Sequence, residues 1–367
     1  MKATQQLHEL GQSLWVDNIT RGMLREGTLK GYIDDLSVTG LTSNPTIFDK
    51  AIGAGAGYDE QISQVSGAAE DDGGPGADSN ENVFFELAIA DLRDAADLFA
   101  DVHTRTAGVD GFVSLEVSPL LADDTEATIE QAAKLHAKAA RENLFIKIPG
   151  TPAGLPAIEE SIFAGIPINV TLLFDDRQYL AAADAYMKGI ERRIEAGLDP
   201  VVGSVASIFM SRWDVAVAEE VPAELKNRLG IAIGGRAFRA YRELLDSDRW
   251  MQLANKGARA QRLLWASTGT KDPDASDTLY IEAFASPFTV NTMPDKTLEA
   301  FADHGALGDL MDPTGGGSEL TLKEFEGAGI DLAALAERLQ KEGKESFNKS
   351  WEELLKTISS KRGVTAG

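Results

Sequence analysis

Short apolar runs rich in β-branched residues alternate along this chain with longer segments whose apolar positions recur at helical spacing, the mark of repeated strand–helix units. The runs predict eight strands, at 14–18, 38–43, 112–117, 144–148, 168–173, 201–207, 263–267 and 280–284. Helical periodicity predicts helices over 21–34, 81–106, 125–141, 155–164 and 177–196, and a helical stretch over 213–255. Eight strands with intervening helices suit a closed (β/α)8 TIM barrel, and no GxGxxG follows the first strand to favour an open doubly wound sheet. Two stretches break the rhythm. Residues 67–80 (GAAEDDGGPGADSN) read as a flexible Gly/Asp-rich loop, and DPTGGGS at 312–318 as a linker into a C-terminal helical appendix ending at 367. That appendix carries helical segments over 332–341 and 346–358, and Phe347, Trp351, Leu354 and Leu355 recur on a face predicted to pack on the barrel. The reading is one catalytic barrel domain over 1–367 with these two additions.

Alternation then sorts the strand residues by face, the outer face of a barrel meeting its helices and the inner face its own interior. In LFIKI at 144–148 the three branched aliphatics share one face, which turns Phe145 and Lys147 inward. Ser114 and Glu116 lie opposite Val113, Leu115 and Val117, and Asn169 and Thr171 lie opposite Ile168, Val170 and Leu172. Asp17 falls opposite Leu14 and Val16, Thr42 and Asn44 share a face, and Ser267 turns inward together with Trp265. The predicted interior therefore holds one lysine, two carboxylates and several amides and hydroxyls near the carboxyl ends of strands, where barrel active sites are built. A buried ion pair of Lys147 with Glu116 or Asp17 is the structural alternative. Ion pairs of that kind give little net stability, which favours function over structure as the reason the polar pattern repeats from strand to strand. An amine held out of water keeps a larger neutral, nucleophilic fraction, so amine attack on a carbonyl is the chemistry this interior supports best. From the residues alone the reading stops at a Schiff-base lyase, aldolase or transferase.

Composition changes this picture only at its edges. Hydrophobic residues make up 43% of 367, enough for a large core, and no apolar run approaches the roughly 20 residues of a membrane span. The start, MKATQQ, lacks a secretory pattern, and the absence of cysteine suits a reducing cytoplasm. A net charge of −23 argues against nucleic acid and anionic membranes as partners. It also requires any phosphate ligand to be held by locally gathered cations. His8, His103, His136 and His304 are scattered without metal-type spacing and read as structural or surface residues, so no metal is expected.

Seven segments together resemble the transaldolase family, in its longer bacterial branch: LWVDN at 14–18, TGLTSNPTIF at 39–48, DGFVSLEVSP at 110–119, FIKIPGT at 145–151, INVTLLF at 168–174, SVASIFMSRWD at 204–214 and LLWASTGTK at 263–271, with NTMP at 291–294. The resemblance implies Lys147 as the Schiff-base lysine and Asp17 as the acid/base at the C4 hydroxyl. It gives Glu116 and Thr171 the proton transfers of imine formation, through a water. Thr42, Asn44 and Asn169 would hydrogen-bond the dihydroxyacetone unit, and Ser207, Arg212 and Ser267 the phosphate. Gly269 stands where the family often has an arginine, and Lys271 is the cation expected in its place. The implied reaction moves dihydroxyacetone from sedoheptulose 7-phosphate or fructose 6-phosphate to glyceraldehyde 3-phosphate or erythrose 4-phosphate, in the non-oxidative pentose phosphate pathway. Sugar phosphates are the expected partners, with no dissociable cofactor, in a monomer or homodimer. The alternatives are an enzyme resembling fructose-6-phosphate aldolase, which releases free dihydroxyacetone, and a non-catalytic sugar-phosphate-binding barrel.

Overall fold

Eight parallel strands close on themselves in chain order in the computed structural model, which describes residues 1–72 and 79–365. They are β1 (Ser13–Asp17), β2 (Val38–Thr42), β3 (Val113–Glu116), β4 (Leu144–Pro149), β5 (Ile168–Leu173), β6 (Ser204–Phe209), β7 (Arg262–Ala266) and β8 (Val290–Met293). β1 pairs with β8 to seal the barrel. Outward aliphatics such as Ile146, Ile148, Val170 and Leu115 are buried beneath the helical layer. Several strands hand over to their helices through side-chain caps. Asn44 accepts a hydrogen bond from Ile47 N (3.1 Å), Asp124 from Ala127 N (3.0 Å) and Asp175 from Gln178 N (2.8 Å), each satisfying an otherwise unpaired first-turn donor.

Seven of the eight expected strands are present within a few residues of their predicted limits; the eighth is not. Residues 280–284 lie in and beside a short helix, Leu279–Ala283, and β8 is Val290–Met293. YIEAF has the apolar content of a strand, but Tyr280 and Phe284 are one helical turn apart and their rings stack at 6.1 Å. Phe284 in turn stacks on Trp265 at 4.6 Å, and Tyr280 donates to Asp214 (2.6 Å). The true strand, VNTM, carries Asn291 and Thr292 at adjacent positions, one on each face, and so lacks the apolar run that marks the other strands.

Helix boundaries shift for local reasons. The segment 21–34 splits into Arg21–Arg25 and Thr28–Leu36 around Gly27, whose φ of 83° breaks the helix. The segment 81–106 runs as Asn80–Leu98 and Ala100–Arg105, and 213–255 divides into Ser211–Val217, Leu229–Leu245 and Asp248–Asn255 with a 3₁₀ turn at Ala223–Leu225. The loop expected at 67–80 is helical over its first part, within Asp59–Asp72, and residues 73–78 lie outside the described residues. The C-terminal appendix comprises Ser318–Gly327 and one continuous helix, Leu332–Thr365, where two segments were expected.

That last helix does pack on the barrel, and it does so across the carboxyl ends of the strands. Gln340 Nε2 donates to Leu172 O (3.0 Å) and Gly150 O (3.2 Å), Thr46 Oγ1 to Ser350 Oγ (2.7 Å) and Thr357 Oγ1 to Asp49 (2.7 Å). Trp351 packs against Phe84 and Phe85, with ring centroids 5.1 and 5.7 Å away. At the opposite end the barrel is plugged. Trp15, Phe145 and Phe112 stack inside it, Trp15 Nε1 donates to Asp110 (2.9 Å), and Arg262 donates to Ser13 (2.6 Å). A Cβ on Gly40 would lie 2.5 Å from the Trp15 ring, so only glycine leaves room for that plug.

Candidate active site

Above the aromatic plug, strand register lines up the chemistry. Glu116 pairs in register with Lys147, and Lys147 with Asn169, so the three stand in one row across β3, β4 and β5. Each points inward because the aliphatics on either side of it take the helical face. Lys147 is buried; its Nζ donates to Ser43 O (3.0 Å) and lies 3.6 Å from Glu116 Oε2. Glu116 Oε2 makes no hydrogen bond within the described residues, and neither does Thr171 Oγ1, which lines the cavity above. Asn169 is fixed in orientation, accepting from Ser207 Oγ (2.7 Å) and donating to Ser114 Oγ (3.2 Å).

Asp17 closes the opposite wall. It is half-buried, enclosed by the barrel and facing the cavity. Thr42 donates to it (2.7 Å), and because that proton is committed, Thr292 must donate to Thr42 across their 2.6 Å contact. Burial pushes the Asp17 carboxyl above the usual carboxylate range, opposed by Lys147, the Thr42 hydrogen bond and Lys271. Burial likewise raises Glu116, again opposed by Lys147. One lysine thus faces two carboxyls that both resist ionisation.

These residues line a cavity of about 140 Å³ whose walls also include Asn44, Ser207, Phe209, Arg212, Ser267, Lys271, Thr292 and Phe347. Of the residues singled out in the sequence, Asp17, Thr42, Asn44, Lys147, Thr171, Ser207, Arg212, Ser267 and Lys271 line it directly, and Glu116 and Asn169 stand beside Lys147 in the barrel wall. Asn44 spends one oxygen on capping the helix after β2. Ser207 spends its proton on Asn169. Toward the mouth, Ser267 Oγ lies 3.0 Å from Ser211 Oγ at the start of the helix that carries Arg212.

Ser267 reaches the cavity by a route alternation does not foresee. Trp265 faces outward, against Phe284 and Phe238, while Ala266 and Ser267 both line the cavity. The left-handed φ of 55° at Ser267 ends the alternation just past β7. At Gly269 a Cβ would stand 3.3 Å from Pro294 Cγ, so the rim is narrow there, and the exposed Lys271 borders the cavity instead. The sequence does not single out the lining residues Thr292, whose strand it places at 280–284, Phe209, which follows Ser207 on the same face of β6, Ala266 or Pro294; Phe347 it marks as a packing residue of the C-terminal appendix. Among the described residues no three His, Asp or Glu side chains converge to hold a metal ion.

Residues 14–358 match the family model described as transaldolase/fructose-6-phosphate aldolase. Proteins named transaldolase from Parafrankia sp. (strain EAN1pec) and Thermobifida fusca (strain YX) are each 43% identical to this chain. The first alignment covers 100% of this chain and 99% of the relative, the second 97% of each. A transaldolase of Mycolicibacterium smegmatis is also 43% identical, over 95% of this chain and 94% of its own.

Proposed function

This chain belongs to the transaldolase/fructose-6-phosphate aldolase family, and from that premise we propose that its transaldolase activity runs through a Schiff base on Lys147. The observation that carries the reading is the placement of Lys147 Nζ, buried at the carboxyl end of the barrel with Glu116 at 3.6 Å and Asp17 across the same cavity. The amine adds to the C2 ketone of a ketose phosphate. Glu116, working with Thr171 through a water, supplies the proton with which the carbonyl oxygen leaves as water, giving the iminium. Glu116 Oε2, which faces Lys147 Nζ but makes no hydrogen bond, and Thr171 Oγ1, which makes none either, suit that task.

Asp17 then takes the C4 hydroxyl proton as the C3–C4 bond breaks, and the electron pair of that bond moves into the iminium to form an enamine. The shortened aldose phosphate leaves. Thr42, Asn44 and Asn169 hold the three-carbon enamine by hydrogen bonds, while Ser207, Arg212, Ser267 and Lys271 hold the phosphate. The enamine carbon adds to the aldehyde of a second aldose phosphate, Asp17 returns its proton to the new hydroxyl, and water releases the product from Lys147. The C-terminal helix, lying over the cavity with Phe347 in its wall, helps shield the enamine from water, which favours transfer over loss.

Every group used comes from one chain, so a monomer or a homodimer serves equally. No described helix is long and apolar enough to cross a membrane, and a cysteine-free chain fits the cytoplasm. Borohydride reduction in the presence of fructose 6-phosphate, followed by mass spectrometry, is expected to place a three-carbon adduct on Lys147, and Lys147→Ala to abolish both adduct and turnover. Trapping on another lysine would overturn the assignment. Release of dihydroxyacetone without erythrose 4-phosphate at the rate seen with it would turn the reading from transfer to simple aldol cleavage.

A further inference from the structure

Arg212 is an unusual arginine. Its guanidinium lies over two phenylalanine rings, with Cζ 5.1 Å from the centroid of Phe209 and 5.9 Å from that of Phe347. The two rings stand 6.4 Å apart. Among the described residues no carboxylate comes within 4 Å of it, whereas most arginines in this acidic chain are paired, among them Arg21, Arg141, Arg192, Arg236 and Arg249. Glu342, on the C-terminal helix, is the acid that acts on Arg212 through space.

Phe209 comes from the barrel, but Phe347 comes from the C-terminal helix, and the helix is built to bring it there. Gly343, one turn before Phe347, is buried at the point of closest approach: a Cβ there would lie 2.9 Å from Leu172 Cδ2 and 3.3 Å from an Arg212 terminal nitrogen. Glycine inside a helix costs stability relative to alanine, so its presence here is explained by the close approach it permits. Gln340, one turn earlier on the same face, ties the helix to the carbonyls of Leu172 and Gly150. Leu172 has a left-handed φ of 59°, and the β5–β6 register shifts around it, which turns that carbonyl out of the ladder and toward Gln340.

We propose that Phe347 is a specificity-determining residue, which holds the Arg212 guanidinium against Phe209 so that its free N–H edge is presented to the substrate phosphate. The inference rests on the reading of Arg212 as a phosphate ligand. Rings on the face of a guanidinium leave its edge as the only polar direction, and that edge is the part that matches a phosphate in forked fashion. The C-terminal helix is then part of the phosphate site as well as its cover.

The test compares Phe347→Leu, Phe347→Tyr and Arg212→Gln in the full chain, with fructose 6-phosphate and with unphosphorylated fructose as donors, and with inorganic phosphate as competitive inhibitor. Phe347→Leu is expected to raise KM for fructose 6-phosphate and weaken phosphate inhibition, each about tenfold, the scale of a cation–π contact out of water. Its kcat and its activity on fructose should stay near those of the parent, and Phe347→Tyr should restore the parent values. Equal losses on both donors, or phosphate inhibition unchanged in Phe347→Leu but weakened in Arg212→Gln, would overturn the role of Phe347 alone. Phosphate inhibition unchanged in Arg212→Gln would overturn the reading of Arg212 and the inference with it.

Discussion

The chemistry of this site turns on two carboxyl groups that burial makes reluctant to ionise and one lysine that pulls both the other way. A base needs a proton affinity high enough to accept a proton, and Asp17 gains it from its surroundings, tempered by the hydroxyl pair Thr292–Thr42. Asp17→Asn is expected to lower kcat by roughly 10²–10⁴-fold, the usual range for a lost acid/base, while borohydride still traps substrate on Lys147. The sign of its effect on stability follows from linkage. A raised carboxyl binds a proton more tightly in the folded than in the unfolded chain, so its stability contribution is full below the ordinary Asp range and is lost as pH rises through the folded value. Asp17→Asn removes that loss. Thermal unfolding should therefore show the variant more stable than the parent at neutral pH, by on the order of 2 °C, with the gap closing toward about pH 4. A gap that widened on acidification would contradict the burial argument.

At the scale of the element, glycine and paired charge mark where the barrel is tightest. Gly40→Ala drives a Cβ into the Trp15 ring within the lower barrel, and overpacking of that kind costs about 1–3 kcal/mol, measurable by urea unfolding with the m-value unchanged. Outside the barrel, Arg21 donates twice to Asp91, at 2.9 and 2.8 Å, and Tyr58 donates to its other oxygen at 2.7 Å. All three are buried, so Asp91→Ala leaves an unpaired guanidinium and should cost about 3–5 kcal/mol. Seven strands were legible because each is a short apolar run, most of them with aliphatics at alternate positions on the outer face. The eighth was not, because β8 pairs its aliphatics with Asn291 and Thr292, while YIEAF offers an apolar run that suits strand and helix equally until its ring-stacking partners are known.

For the whole molecule, the C-terminal helix is the element that lies across the barrel mouth and adds Phe347 to the cavity wall. Its anchor is Trp351, buried against Phe84 and Phe85 on the far side of the mouth from Gln340. Trp351→Ala should lower stability by about 3–5 kcal/mol and, by loosening Phe347, raise KM for phosphorylated donors more than it lowers kcat. Calorimetry beside steady-state kinetics separates the two effects; lost stability with unchanged KM would show that the helix serves the core alone. The net charge of −23 gives this local arrangement its importance, since the overall charge opposes anionic substrates while Arg212 and Lys271 set cations beside the cavity.

By itself the sequence determined the barrel class, the inward direction of Lys147, Glu116, Asn169, Thr171, Asp17 and Thr42, and the kind of chemistry they support. Those are consequences of strand alternation, a local rule with a period of two residues. Only the tertiary structure decided which groups meet. Thr292 reaches Asp17 through Thr42 because β8 closes against β1, Ser267 enters the site through a left-handed residue, and Phe347 finds Arg212 from 135 positions away because Gly343 lets a helix descend onto the barrel mouth. Periodicity places a side chain on a face, but contacts between distant segments are set by closure and packing, which leave no repeating signal along the chain.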